Sequence, residues 1–341
     1  MAGFLPTDLD RHLCALAGEL LALSIGNGRK DGNRSQDESH EDKTSAPGWE
    51  PHTASLARRS AAVQSRVDYG AAWMEGRGDA TAVRITHIGG PTALLEIGGW
   101  RLLTDPTFDP AGGSYRFGWG TGSKKLAGPA LSPDELGRID AVLLSHDHHD
   151  DNLDRAGREL LPSAGAVITT VPGAGRLGGN ARGLAAWEST SLEAEGRPAI
   201  EVTATPCRHG PPLSHPIVGE VVGFSLAWEG QRGGVLWISG DTVLYEGVRA
   251  VADRLDVDTA LIHLGGVRFP ISGPVHYTMT AAQAVELCSL LRPRVTVPIH
   301  YEGWKHFRQD RDAIEAEFAG APPEMRDSVR WLPIGDPVDI G

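Results

Sequence analysis

The stretch from Ala141 to Asp154, AVLLSHDHHDDNLD, constrains this chain more than any other. An apolar run suited to a buried strand passes directly into three histidines and four aspartates, and a helix is expected to begin just beyond, over 153–161. Acids packed this closely repel one another and lose hydration, and a divalent cation offsets both penalties by drawing imidazoles and carboxylates to one point. A solvated acidic turn that caps a helix would use the same residue types. What separates the two readings is whether distant parts of the chain deliver ligands to the same place.

Three later apolar runs end in ligand-type residues: VTATPCRH at His209, VLWISGD at Asp241 and VTVPIH at His300. Any one alone could be a core histidine or a capping Asp. Four such endings predict a shared rim where a metal site is assembled. The surrounding pattern predicts strands at 83–88, 92–97 and 100–104 in a Gly-Gly punctuated meander, then at 140–145, 166–171, 199–205, 221–228, 235–239, 259–263 and 295–299. Helices are expected at 246–255, 280–291 and 310–318 as well as 153–161, so the fold class is α/β (α+β), sheets covered by helices.

From about Val83 to the C-terminus the sequence resembles the metallo-β-lactamase superfamily of metal-dependent hydrolases, whose ligands come as an HxHxDH loop followed by His, Asp and His. ITHIGGPTALLEIGGWRLLTDPTFD, SGDT and PIHYEGW carry the likeness toward the branch that holds the ascorbate-phosphate lactonases and N-acyl-phosphatidylethanolamine phospholipase D enzymes. The resemblance implies an αββα sandwich of two mixed sheets flanked by helices, with the site at one edge of the sheets. It implies a first metal on two loop histidines and His209, and a second on Asp151 and His300 with Asp241 bridging.

The loop departs from the family pattern, and two registers compete. Counting forward gives His146, His148 and Asp150, with Asp151 where the last histidine belongs. Counting back from the helix start pairs His146 with His149, inserts one residue, and puts Asn152 in the last histidine's place. The second register is favoured because a loop tolerates an insertion better than a helix tolerates a slip, and His148 stays as the alternative ligand. Either way the fourth loop histidine is missing, so one tightly held ion is expected and a second would be weak, water-completed or absent. Zn²⁺ is the expected ion, with Mn²⁺ or Fe²⁺ as alternatives. A metal of this kind supplies water acidic enough to yield hydroxide near neutral pH, the expected nucleophile, with Asp151 orienting it or relaying its proton.

Asp105 in LTDP resembles the family's early acidic motif, which implies support of the metal loop from behind, with an ordinary turn Asp before Pro106 as the alternative. His263 and His276 are expected at the pocket edge, each weighed evenly against a structural role, and Asn152 could assist only weakly. Gly90 stands where the related branch carries a histidine, and Tyr301, Trp304, Lys305 and His306 offer either substrate contacts or plain loop packing. The missing histidines motivate a second reading, a catalytically degenerate binding or scaffold protein of the same fold.

The chain has 341 residues, room for about two domains or one with an extension. Leu9, Leu13, Leu16 and Leu20 predict an amphipathic helix within 1–25, and the polar composition of the following segment predicts a mostly disordered linker over 26–80 ahead of a hydrolase domain at 81–341. A net charge of −12 argues against nucleic-acid capture. A small-molecule substrate is expected instead, without membrane insertion, and homo-oligomerisation stays open. Cys14, Cys207 and Cys288 lack CxxC spacing, which fits a reducing cytoplasm.

Overall fold

The computed structural model describes residues 83–340, apart from 119, 213 and 215–217. The expected N-terminal helix and linker, up to residue 80, lie outside the described residues. The strands, in chain order, are β1 (Val83–Gly89), β2 (Thr92–Ile97), β3 (Trp100–Thr104), β4 (Ser114–Gly118), β5 (Thr121–Lys124), β6 (Ala141–Leu143), β7 (Val167–Thr170) and β8 (Ala181–Leu184). They continue with β9 (Ser189–Leu192), β10 (Ile200–Pro206), β11 (Val222–Trp228), β12 (Val235–Ile238), β13 (Val257–His263), β14 (Val295–Ile299) and β15 (Pro337–Ile340). The helices are α1 (Pro133–Leu136), α2 (Arg155–Leu160), α3 (Val171–Leu177), α4 (Glu246–Arg254), α5 (Ala281–Leu291), α6 (Arg311–Ala319) and α7 (Pro323–Ser328).

Two mixed sheets result, one ordered β15-β1-β2-β3-β6-β7-β8 and the other β14-β13-β12-β11-β10-β9. Their central strands are apolar at consecutive positions because both faces are covered. Along β3, Leu102 joins the core between the sheets while Leu103 faces the other way; Leu143 and Val142 divide likewise on β6, and Leu236 and Trp237 on β12. Inward residues such as Ile85, Leu95, Ile168, Phe224, Leu226 and Val297 form one contiguous core. The outer face of the first sheet packs with Leu153 and Leu160 at α2, and that of the second with α4, α5 and α6 through Val248, Leu287 and Ile314. This is the αββα arrangement expected from the sequence.

Each expected strand forms close to its expected bounds, and so do the four expected helices. The hairpin β4-β5, the short strands β8 and β9, the helices α1, α3 and α7, and the closing strand β15 were not expected. β15 pairs with β1, Val338 opposite Ile85, so the C-terminus closes the sheet that the first described strand opens. No helix among the described residues is long and apolar enough to cross a membrane.

The connectivity positions the site. β3, β6 and β7 run parallel, as do β12, β13 and β14, and β10 shares their direction because it is antiparallel to β11, which is antiparallel to β12. The carboxyl ends of β3, β6, β10, β12, β13 and β14 therefore lead into Asp105, Ser145, His209, Asp241, His263 and His300. Open α/β sheets commonly bind ligands at such an edge.

Candidate metal centre

His146, His149 and His209 converge, with ring nitrogens from each within 4.8 Å of one another. His149 Nδ1 lies 3.2 Å from both His146 Nε2 and His209 Nε2. His209 Nδ1 faces the Tyr277 carbonyl oxygen at 2.8 Å. A carbonyl can only accept, so Nδ1 carries a ring hydrogen and Nε2 is the nitrogen turned toward its neighbours. Burial, reinforced by the neighbouring imidazoles, pushes His149 down to about 4 and His146 well below the usual histidine range. Nitrogens of three imidazoles thus meet at a common point. Zinc bonds of about 2.0–2.1 Å in a tetrahedral site separate adjacent ligands by about 3.3 Å, close to the spacing here, so the trio fits a divalent cation.

A second cluster gathers Asp241, His263 and His300. His263 Nδ1 and His300 Nδ1 both donate to Asp241 Oδ1, at 2.9 and 2.8 Å. Burial would raise the Asp241 carboxyl, but the charge of His300 and the hydrogen bonds from both rings outweigh it and hold the group well below the usual range. Burial likewise works to lower His300, yet the carboxylates of Asp241, Asp151 and Asp105 prevail and raise it, so positive charge is favoured here. The Nε2 atoms of His263 and His300 and the Oδ1 atom of Asp151 are buried without a hydrogen-bond partner. Such orphaned atoms are costly, and a cation would satisfy them.

The loop that carries these residues is held from behind. Asp105 Oδ1 accepts the Ser145 backbone N–H at 2.7 Å, and burial pushes the Asp105 carboxyl up to about 8. Asp105 and His300 both have positive φ, 29° and 57°, a strained backbone for residues with side chains. The His300 N–H, donating to the Gly90 carbonyl at 2.9 Å, helps fix that turn. His87, three residues before Gly90, points its Nε2 at the same carbonyl from 3.0 Å and supports the turn.

His149 stands in the trio, whereas His148 is turned aside. Its Nε2 lies 2.9 Å from the Arg176 guanidinium, which also clasps Asp147 through two nitrogens at 2.6 and 2.8 Å. His148 packs on Gly219, where an added Cβ would meet the ring at 2.3 Å. Alanine at His148 is expected to leave metal content within about twofold of wild type, while alanine at His149 removes the ion from the trio. Elemental analysis of dialysed protein checks this, and the reverse pattern would restore the forward-counted register.

Asn152 is fully buried, its amide nitrogen 3.4 Å from Ser145 Oγ and its Oδ1 unpartnered. His263 is buried behind Asp241 with its Nε2 3.9 Å from Asp105 Oδ2, so it does not border the open cleft as expected. His276 makes no hydrogen bond or ring contact with the cluster; its neighbour Tyr277 takes that place. Asp241 holds two histidines through one oxygen.

Other residues of the site were missed or left unresolved by sequence reasoning. Phe117 on β4 brings its ring 5.5 Å from His149 and 5.4 Å from His306. The alternation in SYRFG and TGSK around a glycine turn was the available signal for this hairpin. His306, read only as a loop residue, sets Nε2 2.9 Å from Asp151 Oδ2. Lys125 reaches Asp154 at 2.8 Å beneath the loop. An open cleft of about 450 Å³, lined by Phe117, Val218, Val267, Phe269 and Tyr277, exposes His149, Asp151 and His209 at its floor.

The family described as a β-lactamase superfamily domain matches residues 100–301, more than half of the chain. A UPF0173 metal-dependent hydrolase from Deinococcus radiodurans is 30% identical over 263 residues, covering 72% of this chain and 95% of that protein. The chain belongs to the β-lactamase superfamily of metal-dependent hydrolases. Another UPF0173 protein, from Opitutus terrae, is 29% identical over 278 residues, 76% of this chain and all of its own length. Among solved structures, a possible metal-dependent hydrolase from Veillonella parvula superposes with a TM-score of 0.63 at 18% identity, over 76% of this chain and 99% of that one. An isothiocyanate hydrolase from Delia radicum gut bacteria reaches the same TM-score over 75% of this chain and 98% of its own, again at 18% identity, a likeness of fold.

Proposed function

We propose that this superfamily member hydrolyses a small ester, lactone, amide or phosphodiester that carries an apolar portion. The observation that carries the reading is the cleft, whose apolar walls lead directly onto His149, Asp151 and His209. A pocket of this kind, mostly apolar with a few polar groups converging at its floor, suits a small organic substrate. Zn²⁺ is our choice of ion on the evidence of the all-imidazole trio, and when bound it would polarise the scissile group and acidify water.

The chain's own residues divide the remaining work. Phe117, Phe269 and Tyr277 hold the apolar part of the substrate and exclude bulk water. Asp151, kept ionised by its hydrogen bond to His306 and by nearby imidazoles despite the opposing effect of burial, is placed to accept a proton and pass it on as the leaving group departs. Cys207 is no competing nucleophile: its thiol donates to the Ser239 carbonyl, and burial raises it well above the usual range. Kinship with the lactonase and phospholipase branch, a cytoplasmic setting and the expectation of no nucleic-acid partner belong to this same proposal, the last supported by the net charge of −12.

The test is turnover by purified, zinc-loaded protein against a p-nitrophenyl ester, a γ-lactone, an anilide and bis-p-nitrophenyl phosphate. Cleavage of one class, lost on chelation and regained with metal, is the expected result. A fully loaded protein inert toward all four would favour the scaffold reading, for which the buried Asn152 in a histidine's place is the motivating observation.

A further inference from the structure

We infer that His306 is a ligand of the second metal position, supplied from the loop after β14 in place of the loop histidine that Asn152 displaces. The inference rests on the hydrolase reading above and assigns this chain's own residues within it. His306 follows β14 by a short loop, yet its ring is 3% exposed and lies against Asp151.

Four observations converge on this assignment. His306 Nε2 stands 2.9 Å from Asp151 Oδ2, and His300 Nε2 stands 3.9 Å from the same oxygen. The other Asp151 oxygen and the Nε2 of His300 are both buried without partners. The His306 ring is clamped, stacked on Phe269 at 5.6 Å and 15° and met edge-on by Phe117 at 5.4 Å. Asn152, by contrast, directs its amide nitrogen weakly toward Ser145 at 3.4 Å.

Bonds of about 2.0–2.1 Å separate adjacent ligands by about 3.0 Å at right angles and about 3.3 Å in a tetrahedron, so the His306–Asp151 spacing is that of two ligands on one ion. His306 would hold the ion through the Nε2 lone pair, with the ring hydrogen on Nδ1. A buried imidazole in an aromatic cage is a stronger ligand than the amide of Asn152, and it would restore a nitrogen donor to the side that the loop lost.

Anomalous diffraction at the zinc edge, together with elemental analysis of dialysed protein, tests the assignment. Two ions per chain are expected, the second with His306 Nε2 at about 2.0–2.2 Å. His306→Ala should keep the ion at the trio and weaken the second at least tenfold in a cobalt titration followed by visible absorption. Asn152→His in the His306→Ala background should recover the second ion. A wild-type map with a second ion not touching His306, or with one ion only, overturns the inference and leaves the hydrolase reading intact if turnover persists. A protein with no metal at the trio overturns both.

Discussion

Replacing His209 with alanine is expected to lower kcat/KM by at least about 10³-fold and to empty the trio of metal. His209 is the one member of the trio that arrives from the second sheet, at the end of β10, while His146 and His149 come from the loop after β6. Its tautomer is fixed by the Tyr277 carbonyl at 2.8 Å, so its lone pair is aimed before any ion arrives. Without it two loop imidazoles remain, too few for a tight three-protein-ligand site. A Lewis-acid contribution of several kcal/mol, taken as about 4, converts at about 1.4 kcal/mol per decade into the stated loss. Steady-state kinetics paired with elemental analysis decide the point. Undiminished turnover in a variant that no longer holds metal would show that the chemistry does not depend on this site.

Asp154→Ala is expected to destabilise the fold by about 4 kcal/mol, read from urea denaturation. Asp154 is fully buried and caps α2 by accepting the Gly157 N–H at 2.9 Å. It also accepts the N–H groups of Phe108 and Asp109, at 2.9 and 2.7 Å, and the Lys125 ammonium at 2.8 Å. Loss of a cap costs about 1 kcal/mol, and stranding one partner of a buried ion pair costs about 3–5 kcal/mol. Lys125 is 4% exposed, with little water to turn to. Adding Lys125→Met to the variant removes the stranded charge and should return about half of the loss; a double variant no more stable than Asp154→Ala would mean the pair is not the source. The four contacts tie the LTDPTFD turn, the β4-β5 hairpin and α2 to one carboxylate, which fixes the loop that presents Asp151.

The same carboxylate explains why the loop register could be favoured from sequence at all. A helix start is a local event, set by an Asp whose side chain meets a backbone N–H three residues on, so Asn-Leu-Asp anchors counting in the reverse direction. That reasoning favours His149, which the structure places in the trio while His148 goes to Arg176. The sheet strands were equally legible, since runs such as VLLS, VLWIS and VTVPI are apolar on both faces and have no stable place except between covered layers. β4-β5 escaped because its exposed polar residues and glycines give little apolar contrast; only its two aromatic residues, Tyr115 and Phe117, pack on the aromatic rings around them.

The sequence by itself determined the layered α/β fold, the family resemblance, and the strand endings that supply histidine and aspartate to one rim, because strand burial and helix capping act over a few neighbouring residues. Only the tertiary structure decided which of those side chains meet. It moved His263 behind Asp241, left His276 outside the cluster, and brought His306 and Phe117 into the site. Such contacts depend on loop paths and ring orientations that no local pattern encodes; His306 and Asp151 lie 155 positions apart.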